Sequence, residues 1–160
     1  MNHWLFKTEP GTFSWTDLKK SPQKRTAWEG VRNYQARNFF KKMNIGDLVF
    51  FYHSVVKPLS IMGIARVVKS AYPDHHQFDP ASKYHDSSSS MDNPRWLMVD
   101  IEWVEDFNPP VAREQLQSEP GLKNMMLLQK GSRLSIQPVT AEEWKIVLSI
   151  GKHSKKIAVL

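Results

Sequence analysis

A stretch near the middle of the chain, RWLMVDIEWVEDF, constrains the fold most. Its side chains fall alternately on two sides, with Leu97, Val99, Ile101 and Trp103 on one and Trp96, Met98, Asp100 and Glu102 on the other. A period of two residues is typical of a β-strand. The pair Pro109 and Pro110 is expected to end it, because proline cannot donate a ladder hydrogen bond. A strand of this length requires partner strands elsewhere in the chain.

Four further segments have the composition of strands: HWLFKTE, DLVFFYHS, SIMGIARVVKSAY and RLSIQPV. Gly63, within the third of these, indicates a bulge or a close approach of another element. Few helices separate the central strands. The order therefore predicts an α+β fold, a curled antiparallel or mixed sheet with helices at its ends, and not a doubly wound sheet.

Helices are predicted where capping residues precede an apolar period. Ser14 with Asp17 begins a short helix that runs through Lys20, and Thr140 with Glu143 begins the last helix. The segment from Asn33 to Met43 has a helical period, and short helices are expected in AREQLQ and GLKNMMLLQ. In the helix from Asn33 one face is apolar, formed by Ala36, Phe39, Phe40 and Met43. With 160 residues and no linker, we expect one domain over residues 1–148, followed by a tail over residues 149–160.

The charge of the chain is unevenly distributed. Residues 1–43 contain nine Lys and Arg against three Asp and Glu, whereas the remainder contains thirteen of each kind. The whole net charge of +6 therefore lies in the first quarter of the chain. A basic field on one side favours binding of polyanions, and nucleic acid is the first candidate among them. A basic surface kept for solubility would explain the same charge.

Several classes of protein are disfavoured. The absence of cysteine excludes disulfides and thiolate metal sites, and no stretch has the ~20 apolar residues of a membrane span. The N-terminal sequence lacks the pattern of a signal peptide, so we expect a cytoplasmic protein with no membrane partner. No glycine-rich phosphate loop, nucleophile elbow or acid–base pair indicates an enzyme, and no cofactor is expected.

The long polar segment from Pro73 to Pro94 is predicted to be a loop. It contains a cluster that could bind a metal ion, His75, His76, Asp79, His85 and Asp86. A histidine-rich loop without a metal ion is the more common case, so no metal site is predicted.

The stretch EGVRNYQARNFF combines a basic, amide-rich face with the apolar face of the helix. Trp28 comes just before it, and Tyr34, Arg37, Asn38 and Lys41 point away from the core stripe. A stacking plane, a forked cation and an amide are groups that read bases and hold phosphates. A solvated helix face beside a packed tryptophan would explain the same pattern.

Two other places offer polar side chains beside strands. FFYHS places Phe51 and His53 on one side of a strand and Phe50 and Tyr52 on the other. Aromatic residues at a strand end are more often core than site. KGSRLS places Ser132 and Arg133 in a turn, where a backbone nest or the arginine could meet an anion.

Longer segments resemble the EVE domain family over residues 1–148. The resemblance is carried by HWLFKTEPGTFSWTDL, WEGVRNYQARNFFKKMNIGDLVFFYHS, NPRWLMVDIEW and LLQKGSRLSIQPVTAEEW. It implies a PUA-like fold, a compact β-barrel with peripheral helices that is related to the YTH and ASCH domains.

The resemblance also implies a function and a site. It predicts a non-enzymatic domain that binds nucleic acid, DNA or RNA, by taking a modified base into an aromatic-lined pocket. The positions that match the family's pocket are Trp28, Arg32, Asn33, Tyr34, Arg37 and Asn38, joined by Tyr52, His53, Ser54, Ser132 and Arg133. Two alternatives remain open: a nucleotide or small-molecule sensor that uses the same pocket, and an enzyme acting on a base with His53 as proton carrier.

Overall fold

The structure is a computed structural model that describes residues 1–159, with side chains over residues 1–151. It contains six strands: β1 (His3–Thr8), β2 (Arg25–Ala27), β3 (Leu48–His53), β4 (Ser60–Pro73), β5 (Leu97–Ala112) and β6 (Ile136–Val139). Four α-helices accompany them: α1 (Trp15–Lys20), α2 (Tyr34–Lys42), α3 (Arg113–Gln117) and α4 (Ala141–Val159). In this part of the chain no helix is both long enough and apolar enough to cross a membrane.

The strands form one mixed sheet in the order β2-β5-β4-β3-β1-β6. β1 and β3 are parallel, and the other neighbours pair antiparallel. The two edge strands of the described residues, β2 and β6, do not pair, so the sheet is not closed. The predicted α+β class and mixed sheet are confirmed. Because β1 and β3 are parallel, both strands end at the same edge of the sheet.

The sheet separates two apolar clusters. Phe6, Trp28, Phe40 and Phe51 belong to the first, which α1 and α2 cover. The second cluster, on the side of α4, contains Leu5, Phe50, Tyr52 and Trp144. The alternation predicted for β3 is therefore confirmed, because Phe51 lies in one cluster and Phe50 and Tyr52 lie in the other.

The predicted helix starts are also confirmed. Ser14 and Asp17 form a reciprocal capping box on α1, and Thr140 and Glu143 make the same pair of bonds before α4. Asn33 caps α2 through a bond from the N–H of Ala36 to its Oδ1. Each cap satisfies backbone N–H groups that the first turn of a helix leaves without partners.

Gly63 is a point of close approach, as predicted. A Cβ atom there would collide with the carbonyl oxygen of Glu105 and the indole of Trp15. The pairing of β4 with β5 shifts register on both sides of this residue, between Ile61 and Gly63 and again between Ile64 and Ala65. The missing side chain therefore lets α1 pack directly on the sheet.

The prediction that Pro109 and Pro110 end the long strand is wrong. β5 continues to Ala112, and Val111 and Ala112 still pair with β4. Asp106 pairs with Gly63 and Val111 with Ile61, so the prolines lie in a bulge between these pairs. Their missing N–H groups cost no ladder bond there.

The prediction of a short helix in GLKNMMLLQ is also wrong. GLKNMMLLQ forms two 3-10 turns, Pro120–Leu122 and Met126–Leu128, in place of one helix. The amide of Gln129 donates to the carbonyls of Lys123 and Met125, which takes acceptors that a continuous helix would use. The segment expected as a tail continues α4 through Val159, and residue 160 lies outside the described residues.

Candidate functional site

A cavity of about 480 Å³ opens between the loop after β1 and the segment that leads into α2. Its volume is in the range of small-molecule sites. The lining is formed by Lys7, Thr8, Glu9, Thr12, Phe13, Thr26, Ala27, Trp28, Glu29, Gly30, Val31, Arg32, Asn33, Tyr84 and Ser135. Of the predicted site residues, the structure brings Trp28, Arg32 and Asn33 to this cavity.

Trp28 forms an aromatic wall of the cavity and is itself part of the core. Its side chain is 8% exposed, and its backbone N–H donates to the carbonyl of Val99. The ring meets Phe13 and Phe51 edge to face, at centroid distances of 6.1 and 5.6 Å, and Phe6 at 5.1 Å. Packing from three sides holds the plane of the indole fixed.

Arg32 joins the cavity wall to the long loop. Its Nε and Nη2 donate to the carbonyl of Tyr84 at 3.0 and 2.8 Å, and its Nη1 donates to Asp74 at 3.0 Å. Asp74 is fully buried and also accepts the N–H of Gly30 at 2.8 Å. The guanidinium is therefore already bonded within the protein, and its main effect is to position the wall.

Tyr84 supplies a further aromatic side chain of the wall, beside Phe13 and Trp28. Its ring lies over Gly30, where a Cβ atom would stand 2.5 Å from Cζ. Gly30 has a φ of +82°, which is accessible to glycine and strained for other residues. Only glycine lets the ring lie this close to the backbone.

A series of contacting rings and guanidinium groups leads from this wall to the outer surface. The guanidinium of Arg32 lies 5.5 Å from the ring of Tyr84 and 5.6 Å from that of Trp96. Trp96 stacks on Tyr34 at 4.8 Å, and Arg37 lies 4.8 Å from the Tyr34 ring. Tyr34 and Arg37 are thus linked to the cavity without lining it.

The structure places Tyr34, Arg37 and Asn38 on the outer face of α2. Tyr34 is 49% exposed, and its hydroxyl accepts from Nη1 of Arg95. Arg37 donates to Oδ1 of Asn38 and to the carbonyl of Arg95. Neither arginine forms an ion pair among the residues whose side chains are described, so both charges can attract an anion. As contacts of a ligand, these three residues stay predictions.

Asn33 lies at the junction of the cavity and α2. Its Oδ1 is used by the helix cap, which leaves the amide nitrogen as the group that can donate to a ligand. This position combines a structural role with a donor at the cavity wall.

The predicted residues at the end of β3 do not line the cavity. Tyr52 is 1% exposed in the second cluster, and its hydroxyl has no hydrogen-bond partner among the described side chains. Burial raises the pKa of Tyr52. His53 Nε2 accepts the backbone N–H of Trp15 at 2.9 Å, and burial lowers the pKa of this histidine. Ser54 donates its N–H to the carbonyl of Thr8.

The turn with Ser132 and Arg133 borders the cavity from the other side of β1. Lys7 Nζ reaches the carbonyl of Ser132 at 3.4 Å, and the N–H of Lys7 donates to the carbonyl of Ser135, which does line the cavity. Burial, followed by the nearby charge of Arg113, lowers the pKa of Lys7. Arg133 is exposed.

The sequence interpretation missed most of the lining. Lys7, Thr8, Thr12, Phe13, Thr26 and Tyr84 are cavity residues that no local pattern singled out. HWLFKTEPGTFSW, which carries part of the family resemblance, contains four of them and could have indicated the first loop. Nothing in the local sequence around Tyr84 connects it to Gly30.

Two of the loop histidines, His75 and His76, lie close together beside a carboxylate. His75 and His76 lie with Glu29 so that one ligand atom from each is within 4.8 Å of the others. His76 contacts the Glu29 carboxylate at 2.7 Å, and Ser82 contacts its other ring nitrogen at 3.3 Å. These three could hold a metal ion, but the His76–Glu29 contact accounts for the arrangement without one.

The sequence and the structure of the chain were both compared with those of known proteins. The model of the EVE domain matches residues 2–150. Thymocyte nuclear protein 1 of Gallus gallus is 46% identical over 165 residues, which cover 92% of this chain and 68% of the relative. A crystal structure of a Pseudomonas putida protein is 42% identical with a TM-score of 0.88, covering 93% of this chain and 99% of that one.

A third comparison involves a bound partner. The crystal structure of human THYN1 protein in complex with DNA containing 5-methylcytosine has a TM-score of 0.88 to this chain. The two are 44% identical, and the match covers 94% of this chain and 98% of the human one.

Proposed function

The chain belongs to the EVE domain family and has its α+β, PUA-like fold, and from this membership we propose that it binds DNA carrying a modified base and catalyses no reaction on it. The observation that carries the proposal is an aromatic-walled cavity in a chain that is 44% identical to a protein solved with 5-methylcytosine DNA. The base enters the cavity, and the basic surface holds the backbone.

The cavity suits an unstacked base for physical reasons. Stacking a base on an aromatic side chain contributes about 1–3 kcal/mol, and Trp28 and Tyr84 both line the space. A methyl group on the base adds about 0.8 kcal/mol when buried, which corresponds to about a fourfold difference in affinity. This is modest discrimination, so phosphate contacts must supply much of the total affinity.

The surroundings of His53 support binding without catalysis. His53 is not among the lining residues, and its Nε2 already accepts the N–H of Trp15. A proton carrier must reach the reacting base directly or through one water. The enzyme hypothesis therefore has no support from this side chain.

A cavity-filling substitution tests the proposal. Trp28→Ala would remove a core side chain and lower the free energy of unfolding by about 3–5 kcal/mol. A loss of binding by this variant could then result from unfolding. Thr12 is exposed and lines the cavity. We expect Thr12→Trp to weaken binding of a 5-methylcytosine oligonucleotide at least about tenfold, equivalent to 1.4 kcal/mol, as measured by fluorescence anisotropy.

Thr16→Trp is the matched control, because Thr16 is also exposed but lies on α1 away from the lining. Its affinity for the oligonucleotide should equal that of the wild-type protein. Equal affinity of the unmodified protein for methylated and unmethylated oligonucleotides, or equal binding by both variants, would contradict the proposal. If free 5-methyldeoxycytidine raised the melting temperature as much as the oligonucleotide, the sensor function would be favoured.

A further inference from the structure

The turn after β3 exposes two valines in an unusual conformation. Val55 and Val56 are 67% and 57% exposed. The N–H of Val56 donates to the carbonyl of Ser54 at 2.8 Å, which closes a three-residue turn centred on Val55. Val55 has a φ of +71°. A positive φ is strained for a β-branched residue, and a γ-turn of this hand is rare.

This valine turn, residues 54–56, lies beside the cavity. β1 and β3 are parallel neighbours, so the loops that follow them leave the same edge of the sheet. The N–H of Ser54 is bonded to the carbonyl of Thr8, and Thr8 lines the cavity. The turn is therefore anchored directly to the cavity wall.

Cationic residues lie on both sides of this edge. Lys57 follows the valine turn, and Arg133 lies in the turn before β6 on the other side of β1. Because neighbouring strands are about 4.8 Å apart, the two turns flank the end of β1 at about 10 Å from each other. Both side chains are exposed, and neither forms an ion pair among the side chains described.

We propose that Val55 and Val56 form a wedge that enters the base stack of duplex DNA at the place vacated by the base held in the cavity. The inference rests on the proposed function and adds to it that the bound DNA is a duplex. Extruding a base leaves a gap between the neighbouring bases, and DNA-bending proteins insert apolar side chains between base steps. The strained turn keeps the valines projecting from the edge, and Lys57 and Arg133 meet the phosphates beside the gap.

The experiment compares a duplex and a single strand that carry the same 5-methylcytosine, with 2-aminopurine as the neighbouring base. The unmodified protein should bind both and raise the 2-aminopurine fluorescence of the duplex. The double variant Val55→Ser/Val56→Ser should bind the duplex about tenfold more weakly, because the wedge offsets part of the cost of unstacking the bases. Its affinity for the single strand should be unchanged.

Ile45→Ser is the matched control. Ile45 is also 67% exposed, but it precedes β3 and so lies at the opposite end of that strand. It should leave duplex binding unchanged. A second variant, Val55→Gly, removes the side chain and relieves the positive φ, so the melting temperature should rise while duplex affinity falls.

The outcomes separate the two proposals. Unchanged duplex binding by the double variant, or an equal loss on single strand and duplex, overturns the wedge while base recognition stands. The same single strand without the methyl group is titrated alongside. If the wild-type protein binds the methylated and unmethylated single strands equally, base recognition is overturned and the wedge with it.

Discussion

His53 serves the fold as the acceptor at the start of α1. Its Nε2 accepts the N–H of Trp15, the first residue of that helix. Only the neutral imidazole can accept this bond. Protonation would also place a positive charge at a helix N-terminus, where the dipole disfavours cations. Burial lowers the pKa of His53, and the charge of Asp17 opposes that shift in part.

The lowered pKa predicts a pH dependence of stability. As the pH falls, His53 is protonated at a higher pH in the unfolded chain than in the folded chain. The contribution to stability is therefore complete above about pH 6.5 and is lost as pH falls through the folded-state pKa. The loss for one proton is at most about 1.4 kcal/mol per pH unit. The measurement is urea unfolding of the native protein and His53→Gln at pH values from about 7.5 to 5.

Glutamine can accept the Trp15 bond but does not titrate, so the variant should have the flatter profile. Hydrogen bonds from Ser14 lower the pKa of Asp17, so this carboxylate titrates outside the window. Parallel profiles for the two proteins would show that His53 makes no such contribution.

The loop from Pro73 to Pro94 is held by a buried amide. Gln77 is fully buried; its Nε2 donates to the carbonyls of Asp74 and Trp96, and its Oε1 accepts from Ser89 and from the N–H groups of Arg95 and Trp96. Asp86 adds a second anchor by accepting from Ser88 and Trp96, and these bonds lower the pKa of Asp86 to about 2. The loop can therefore present Tyr84 to the cavity in a fixed position.

Removing this amide should destabilise the protein strongly. Gln77→Ala leaves several buried donors and acceptors without partners, at a cost of about 3 kcal/mol in the free energy of unfolding. Urea unfolding measures the loss, and hydrogen exchange should become faster at the amides of Arg95 and Trp96. Gln35→Ala, on the exposed face of α2, should change stability by less than about 0.5 kcal/mol. Equal effects of the two substitutions would contradict a structural role for Gln77.

At the scale of the whole molecule, charge and cavity should make separable contributions to the proposed DNA binding. The net charge of +6 lies in the first quarter of the chain, which includes Arg37. Release of counterions from DNA makes the phosphate contribution depend on salt, whereas burial of a methyl group does not.

We therefore expect affinity to fall steeply with salt while the preference for methylated DNA stays near fourfold. Arg37→Ala should weaken binding to both oligonucleotides equally and lower the slope of log K against log salt by about 0.7–0.9. Anisotropy titrations over about a tenfold range of salt measure both quantities. Gln35→Ala is again the control, and an unchanged slope for Arg37→Ala would remove Arg37 from the phosphate contacts.

Much of the secondary structure could be predicted from the sequence. The capping boxes at Ser14 and Thr140, the two faces of α2 and the alternation in β3 all depend on residues a few positions apart. β2 was not predicted, because its three residues pair only with a strand far along the chain. The extension of β5 past the prolines depends in the same way on a bulge against β4.

The cavity depended on tertiary structure. The sequence placed Trp28, Arg32 and Asn33 in one segment, and resemblance to a family assigned that segment to a site. The partners that shape it lie far along the chain: Asp74 is 44 positions from Gly30, and Tyr84 is 52 positions from Arg32. Such contacts leave no periodic signal, because they depend on strand order and on a loop with no repeating pattern. Local sequence therefore determined most of the elements, and the order β3-β1-β6 decided which loops meet at the site.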